Sequence, residues 1–497
     1  MAEPKVRLPE GGITTVIIDS DRKQDNLPVT FGQVFARGDL KPSEGLAGKL
    51  ADGGTVPLQV DVKARHADGS VRHAGISAVL PQLAADSLAV ALVKAAHPSA
   101  RDDTGPAALL AKGFSASVSA VVDGRTYSAS ADKLLAQAGV RSWLAGPLVH
   151  EWMVASPLRT ADGTAHPHLA ARFAVRWYPA AGKARVDVTL ENDWAYEPAP
   201  RNFTYDAAIT VGGERVYAKA GLTHFHHARW RKVFWWGGAP DVRVRHDTAY
   251  LIATRALPNY DRSVRVKQPA LAAFEAKWTG ERIEPMGSGL AMPAMPTTGG
   301  RPDIGLLPAW AAMYLLSMDR HAQQMTLGTA DLAGSWSMHY RDRKTDRPVS
   351  LIDHPYMTLV GQPTDTRNPA TGKLEAFPGC AAPDACKTPY IHDVAHEPSF
   401  AYLPYLVTGD YYYLEELQFW AMYNAFYSNP GYREYAKGLM KADQVRAQAW
   451  GLRTLAEAAY ITPDDDPLKP HFTRIVDANL DWYNAQYTNN RHANALG

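Results

Sequence analysis

The sequence is poor in cysteine and has no excess of charge of either sign. Two of its 497 residues are cysteine, Cys380 and Cys386, which are too few to form a zinc site by themselves. Lysine and arginine number 52, against 51 for aspartate and glutamate, so there is no reason to expect a nucleic acid or a membrane as partner. The longest nearly apolar run, residues 305–318, contains a proline and is too short to span a bilayer. We therefore expect a soluble protein.

The cysteines and the N-terminus bear on the cellular compartment. Cys380 and Cys386 are six positions apart in one loop. This spacing suits a small disulfide-closed loop and an oxidising compartment, and two free thiols are the alternative. The N-terminal residues lack the charged and apolar regions of a secretory signal, so either the protein stays inside the cell or a signal has been removed. We expect an extracellular or periplasmic protein whose signal is not in this chain.

The last third of the sequence contains a repeated helical pattern. Residues 314–319 return as residues 405–410, each time between an apolar helix and a second helix, and a third pair follows at 449–460 and 475–487. Because paired helices cannot bury their apolar faces alone, they stack on their neighbours. The pattern predicts an α/α toroid. Its groove should be rich in Trp, Tyr, His and Arg, as is typical of a carbohydrate site.

The residues before these helices have the pattern of β-strands. Residues 56–62 alternate, residues 71–80 form a second apolar run, and turn-forming residues lie between them, which predicts a hairpin. Residues 172–177 and 185–190 alternate between apolar and polar side chains, as in a sheet that buries one face. We predict a multidomain α+β protein with a β-strand domain at 1–105, a β-sandwich at 106–290 and the helical domain at 291–497.

One segment carries a family resemblance. It consists of Val56-Pro57-Leu58-Gln59, followed by His66-Ala67-Asp68-Gly69-Ser70-Val71-Arg72-His73. This segment resembles the RIFT-barrel domain that opens exo-rhamnogalacturonan lyase-like proteins. In that family a β-sandwich and a C-terminal α/α toroid follow the β-barrel, which is the order predicted above. The resemblance implies a polysaccharide-lyase-like protein, and no catalytic residue is carried over from it.

The first candidate site segment, residues 223–232, is rich in histidine and arginine. On a strand or loop, its side chains can offer a base, a carboxylate clamp and contacts to sugars, so we expect His226, His227 and Arg229 to bind substrate. If the segment is one strand, His226 lies on one face and His227 and Arg229 on the other. In one alternative, the segment is a solvated sheet surface that packs against the toroid. In the other, the histidines bind zinc, although the sequence offers no obvious third ligand.

The second segment, residues 334–342, follows the second helix of the first pair. We expect His339, Tyr340 and Arg341 to be catalytic, because they offer a base, an acid and a cation at the mouth of the groove. Trp336 would shape a sugar subsite. In the alternative, Arg341 pairs with Asp342 and caps the helix end.

The third segment, residues 390–402, enters the second helix pair. His392, Asp393 and His396 can bind a divalent metal, or one histidine can act as a base that the carboxylate orients. We favour the base and predict no required cofactor. Tyr402 would shape a subsite. In the alternative, His396 and Glu397 only cap the helix.

The fourth segment lies within the third helix pair. On a helix, Arg446, Trp450 and Arg453 share one face and can present a stacking ring between two cations to an acidic sugar. We expect Arg446 to be catalytic and Trp450 to bind substrate. In the alternative, Trp450 belongs to the core and the arginines lie on the surface.

These residues predict a polysaccharide lyase that cleaves a uronate-containing glycan by β-elimination. The reaction needs a partner for the uronate carboxylate, a base for the neighbouring proton and an acid for the leaving oxygen. Arg341 or Arg446 would be the clamp, His396 or His392 the base, and Tyr340 the acid. The partner is thus an acidic polysaccharide, and the sequence predicts neither the particular glycan nor the oligomeric state.

Two other classes of function fit the same features. A glycoside hydrolase on this scaffold would use a pair of carboxylates. Its candidates are Asp303, Asp342, Asp393 and Glu397. Alternatively, the aromatic residues hold a glycan and nothing reacts, as in a non-catalytic glycan-binding or phage tail module.

Overall fold

The computed structural model describes residues 8–84, 86–297, 300–441 and 444–492. The N-terminal segment weighed above for a signal lies outside these ranges. The described part of the chain forms a strand-rich N-terminal domain, a large central sheet and a layer of paired helices. No helix in these ranges is long and apolar enough to cross a membrane.

Two facing sheets form the N-terminal domain. Its strands are β1 Gly12–Asp19, β2 Gln24–Val34, β3 Gly45–Lys49, β4 Thr55–Pro57, β5 Gln59–Arg65, β6 Val71–Leu83 and β7 Ser87–Ala95. β2, β6 and β5 form one sheet, and β1, β7, β3 and β4 belong to the other. Apolar side chains of both sheets, such as Ile18, Phe31 and Ile76, share one buried core.

The predicted hairpin exists as the antiparallel pair β5–β6. Its turn is closed by the amide of His66, which donates to the carbonyl of Ser70 at 2.8 Å. The alternating run 56–62 is not one strand, because the chain passes from one sheet to the other between Pro57 and Gln59. Since Pro57 has no N–H to give to a ladder, strand pairing is interrupted there.

The central domain is one nine-stranded antiparallel sheet. Its strands are β8 Ala116–Val122, β9 Arg125–Ser130, β10 Arg141–Ala145, β11 His150–Arg159, β12 Ala165–Tyr178, β13 Lys183–Asn192, β14 Phe203–Val211, β15 Glu214–His224 and β16 Ala228–Trp236, with short helices α1 Ala107–Ala111 and α2 Ala131–Leu135. The strand order is β15-β14-β8-β9-β11-β12-β13-β16, with β10 beside β11.

This sheet curls until its two ends meet. The indole N–H of Trp230 in β16 donates to the hydroxyl of Tyr205 in β14 at 2.9 Å. The result is a single, nearly closed sheet where the sequence predicted a β-sandwich. Both arrangements bury one face of every strand, so strand alternation cannot distinguish them.

The predicted alternation in β12 and β13 is confirmed. Phe173, Val175 and Trp177 point into the buried core of the curled sheet. The opposite face, here called the outer face, carries charged side chains that are buried as well, such as Arg176 and Asp187. The layer of helices covers the outer face, and its carboxylates pair with these arginines; Asp410 accepts from Arg176 at 2.7 Å.

The helical layer contains three helix pairs, as the repeat predicts. β17 Arg243–His246, which pairs with β1, is followed by α3 Thr248–Ala253, α4 Gln268–Glu275, α5 Ala309–Ser317, α6 Arg320–Asp331, β18 Arg341–Asp342, β19 Arg347–Pro348, α7 Tyr402–Thr408, α8 Tyr411–Phe426, α9 Val445–Ile461 and α10 Lys469–Tyr483. The pairs are α5–α6, α7–α8 and α9–α10. A closed ring of helices is not confirmed, and the α/α toroid stays a prediction.

The turns between paired helices explain the repeated sequence. Met318 and Gly409 end the first helix of their pairs with φ values of 49° and 68°, in the left-handed region that turns the chain back. Asp319 then caps α6 by accepting hydrogen bonds from the amides of His321 and Ala322. α8 is buried on nearly every side, which marks it as the central helix of the layer.

Burial of histidines makes the fold sensitive to acid. Burial lowers the pKa of eight imidazoles to about 3 or 4: His73, His166, His224, His226, His227, His246, His392 and His471. Histidines of the unfolded chain take up a proton near pH 6.5. Between about pH 4 and pH 6.5 the unfolded state binds more protons than the folded state. The contribution of these histidines to the free energy of unfolding is therefore complete above about pH 6.5 and is lost as the pH falls towards 4.

Fewer groups act in the opposite direction. Burial raises the pKa of five carboxyl groups: Glu151, Asp193, Asp331, Glu397 and Glu457. The histidines outnumber them, so we expect the melting temperature to be about 5–10 °C lower at pH 5 than at pH 7.5. Calorimetry at several pH values measures this, and an equal or higher melting temperature at pH 5 would contradict the expectation.

Candidate functional site

The histidine-rich segment is two strands joined by a turn rather than one strand, and these strands lie at opposite ends of the strand order of the central sheet. His224 ends β15, His226 and His227 form the turn, and Arg229 lies in β16. His227 has a φ of 46°, a left-handed conformation that is uncommon for a residue other than glycine. The turn is anchored by Asn202, whose side-chain oxygen accepts from the amide of His226 at 2.9 Å.

Backbone hydrogen bonds bring the segment around Tyr340 to this turn. The amide of His339 donates to the carbonyl of His227 at 2.9 Å, and the amide of Arg341 donates to the carbonyl of Asp193 at 2.9 Å. Tyr340 lies between these two contacts. Its ring centroid is therefore only 4.8 Å from that of His227.

His226, His227 and Tyr340 line one cavity of about 280 Å³, which we call the Tyr340 cavity. Its remaining walls come from Pro200 and from two stretches of the long loop region between α6 and α7. These wall residues include Met357, Gln362, Thr366, Phe377 and Cys380. The Tyr340 cavity is thus a concave site at the end of the central sheet, where binding sites commonly form.

Tyr340 offers a protonated phenol to this cavity. Its ring is 9% exposed and stacks on Phe377 with centroids 4.2 Å apart. Within the described part of the chain, no hydrogen bond engages its hydroxyl. Burial raises the pKa of Tyr340 well above its usual value, so the hydroxyl keeps its proton at neutral pH and can act as a donor.

The two histidines offer neutral imidazoles. Burial lowers the pKa of His226 to about 4 and that of His227 to about 3. The Nδ1 atom of His227 is buried without a hydrogen-bond partner among the described residues, whereas Nδ1 of His226 lies 3.4 Å from the side-chain oxygen of Asn202. A strained backbone and an orphaned ring nitrogen on the same residue point to a functional role for His227.

His392 does not line the Tyr340 cavity. Its Nδ1 lies 3.0 Å from the hydroxyl of Tyr423, and burial lowers the pKa of His392 to about 4. The sequence did not identify Tyr423 as a site residue, because it lies within the largely apolar helix α8 and resembles an ordinary core residue. His396 pairs with Asp393, as predicted for a base oriented by a carboxylate, but neither residue lines the Tyr340 cavity.

A disulfide closes the loop beside His226. Cys380 and Cys386 are bonded, the first of the two sequence alternatives. A ring nitrogen of His226 and both sulfur atoms lie within 4.8 Å of one another. Bonded sulfurs are not thiolates, so this group does not fit a metal ion. His392, Asp393 and His396 form no such group of possible ligands in the described ranges.

Three predicted site residues instead form a buried charge network. Arg341 is 0% exposed and binds Glu191 at 2.7 Å and Glu415 at 2.8 Å. Arg229 also pairs with Glu415, and Nε2 of His339 lies 2.9 Å from Glu416. These contacts join the outer face of the central sheet to α8. The predictions that Arg341 clamps the substrate, that His339 is catalytic and that Arg229 binds substrate are therefore corrected, because the polar groups of these residues are occupied inside the protein.

The other predicted residues lie outside the Tyr340 cavity. Trp336 is fully buried against Tyr390 and Phe400, and the hydroxyl of Tyr402 donates to the carbonyl of Ala256 at 2.7 Å. Both therefore belong to the core. On α9, Arg446 is exposed and Trp450 is partly buried; neither lines the cavity.

Comparison with known proteins gives a domain-level match. Residues 15–93 match the family model of the PcRGLX-like N-terminal RIFT barrel domain. The chain therefore opens with a domain of this kind, which confirms the resemblance to exo-rhamnogalacturonan lyase-like proteins for this segment. A comparison with curated proteins found no match.

Two similar solved structures come from Enterococcus faecalis. One is a protein in glycosyl hydrolase family 38, with 9% identity and a TM-score of 0.23 over 41% of this chain and 33% of that chain. The other is an alpha-mannosidase of strain V583, with the same identity and TM-score over 41% of this chain and 31% of that chain. The chain spans about a third of their length, and likeness this low carries no argument. Of these comparisons, the family match over residues 15–93 is therefore the one that bears on this chain.

Proposed function

We propose that the protein is a polysaccharide lyase that cleaves a uronate-containing glycan by β-elimination in the Tyr340 cavity. The observation that carries the proposal is one cavity that holds a protonated phenol, Tyr340, and two neutral imidazoles, His226 and His227. The β-elimination requires a base and an acid that can both reach one bound substrate.

His227 is the proposed base and Tyr340 the proposed acid. The imidazole takes the proton beside the uronate carboxylate, the electron pair of that C–H bond forms the new C=C bond, and the C–O bond to the leaving sugar breaks. The Tyr340 hydroxyl gives its proton to the departing oxygen. A uronate beside His227 favours the imidazolium form, so substrate binding strengthens a base whose pKa burial otherwise lowers to about 3.

In this cavity, a residue other than arginine must bind the uronate carboxylate. No lysine or arginine is among the described residues that line the cavity. His226 can take up a proton when a carboxylate arrives, because an adjacent anion raises the pKa of an imidazole. The side-chain amide of Gln362, which also lines the cavity, can donate a further hydrogen bond to the carboxylate.

The same cavity is poorly suited to a glycoside hydrolase. None of the described lining residues is aspartate or glutamate, whereas a hydrolase commonly needs two carboxyl groups across the scissile bond. The carboxylates predicted for that role are engaged elsewhere. Asp303 pairs with Arg301 and Asp393 with His396. Asp342 accepts from the amide of Lys344, and Glu397 accepts from Asn424.

A variant of His227 tests the role of the base. His227→Asn keeps a residue that tolerates a positive φ and removes the basic imidazole. We expect kcat to fall by about 10²–10⁴-fold on a cleaved uronate glycan, with little change in melting temperature. Absorbance of the unsaturated product measures the rate, and the same change at the exposed His97 is the matched control. Near-normal turnover by His227→Asn would remove His227 from the mechanism.

The products formed from a panel of glycans separate the three functions. A lyase leaves an unsaturated sugar at the new end and a hydrolase a hydrated one. A non-catalytic binding module leaves the chain length unchanged. We expect unsaturated products from at least one uronate-containing glycan and from no neutral glycan. Hydrated products alone, or binding without cleavage, would contradict the proposal.

A further inference from the structure

A second and larger cavity lies where the three parts of the protein meet. It has a volume of about 660 Å³ and is lined by β1 and β2, by the outer face of the central sheet and by α6. We call it the Trp235 cavity. None of its lining residues lines the Tyr340 cavity, and the function proposed above does not use it.

An aromatic platform forms part of its wall. Trp235, near the end of β16, is partly exposed and stacks on the buried Tyr178, with ring centroids 6.0 Å apart and planes 20° apart. Tyr178 is held in turn by Thr30, whose hydroxyl lies 2.7 Å from the phenol oxygen. A Trp ring fixed from behind offers a preorganised apolar surface to a sugar ring.

The arginines of the cavity are already paired. Five arginines and five aspartates are among its lining residues, and each arginine pairs with one of these aspartates. The pairs are Arg176, Arg185 and Arg231 with Asp410, Arg243 with Asp19 and Arg320 with Asp21. An anion therefore finds no free cation, whereas hydroxyl groups can bond to paired charges and to the amides of Gln323 and Gln324.

We propose that the Trp235 cavity binds neutral saccharide units, separately from the acidic unit in the Tyr340 cavity. The paired charges and amides bond to sugar hydroxyls, and Trp235 stacks on a sugar ring. The volume of the Trp235 cavity is within the usual range for small-ligand sites. The inference rests on this cavity alone and does not require the protein to be a lyase.

Isothermal titration with neutral tetrasaccharides tests the proposal. The probes are cellotetraose, xylotetraose, mannotetraose and galactotetraose, with tetragalacturonate as the acidic comparison. We expect at least one neutral probe to bind, and Trp235→Ala to weaken its binding by about tenfold or more. Tyr340→Phe should bind that probe like the wild type, which separates this result from the fate of the proposed reaction.

Two exposed glutamines provide a matched pair of variants that does not depend on the folding of Trp235→Ala. Gln324 lines the Trp235 cavity and Gln362 the Tyr340 cavity. Gln324→Ala should weaken the neutral probe by about three- to tenfold, and Gln362→Ala should not. The proposal is overturned if no neutral probe binds at about 10 mM, or if Gln362→Ala weakens binding while Gln324→Ala does not.

Discussion

Tyr340→Phe should lower kcat by about 10²–10⁴-fold and leave the free energy of unfolding nearly unchanged. The phenyl ring of the variant would keep the stacking contact that Tyr340 makes with Phe377, at 4.2 Å between centroids. The hydroxyl has no hydrogen-bond partner in the described part of the chain, so the fold loses nothing when it is removed. The reaction, in contrast, loses the proton donor for the leaving oxygen.

Tyr402→Phe is the matched control, because it makes the same change at another buried tyrosine. The hydroxyl of Tyr402 donates to the carbonyl of Ala256 at 2.7 Å, so its loss should reduce stability by about 1 kcal/mol. Turnover should stay near that of the wild type. Measuring kcat and chemical denaturation for both variants gives opposite expected patterns. A fall in kcat for Tyr402→Phe that equals the fall for Tyr340→Phe would show that the assay reports folding rather than chemistry.

Arg341→Met should reduce the free energy of unfolding by about 3–5 kcal/mol. Methionine keeps much of the volume but removes the cation that pairs with Asp193 and one of the cations that pair with Glu191 and Glu415. The pKa of Glu415 lies well below its usual value because Arg341 and Arg229 together outweigh the opposing effect of its burial. Chemical denaturation and the yield of soluble protein measure the loss.

Arg446→Met distinguishes a structural arginine from a substrate clamp. Arg446 is exposed on α9, so its replacement should change stability by no more than about 0.5 kcal/mol. If Arg341→Met instead folds with wild-type stability and loses only substrate affinity, the buried network is not structural. The clamp predicted from the sequence would then be right.

The sequence was sufficient to predict the kinds of element and their order. Helix pairs follow from local signals, such as the apolar run of α5 and the cap at Asp319, that each segment carries itself. Alternation in β12 and β13 likewise reveals which side chains share a face. It does not reveal what covers that face, and the charged outer face proved to be buried under α8.

The site could be predicted only in part for the same reason. Tyr340, His226 and His227 were singled out by residue type, but their meeting in one cavity depends on a long-range backbone hydrogen bond from His339 to His227. Arg341 has the residue type of a substrate clamp, and only its contacts with Glu191 and Glu415 assign it to the interior. Nothing in the sequence distinguishes Tyr423 from its neighbours in α8, which are buried as well.

The most direct test is a crystal structure of Tyr340→Phe with a uronate oligosaccharide that the wild-type protein cleaves. We expect the uronate ring in the Tyr340 cavity, with the carbon that loses its proton about 3–3.5 Å from a ring nitrogen of His227 and the carboxylate beside His226. A uronate bound elsewhere, with His227 and residue 340 out of reach of its reacting atoms, would contradict the proposed site and its chemistry.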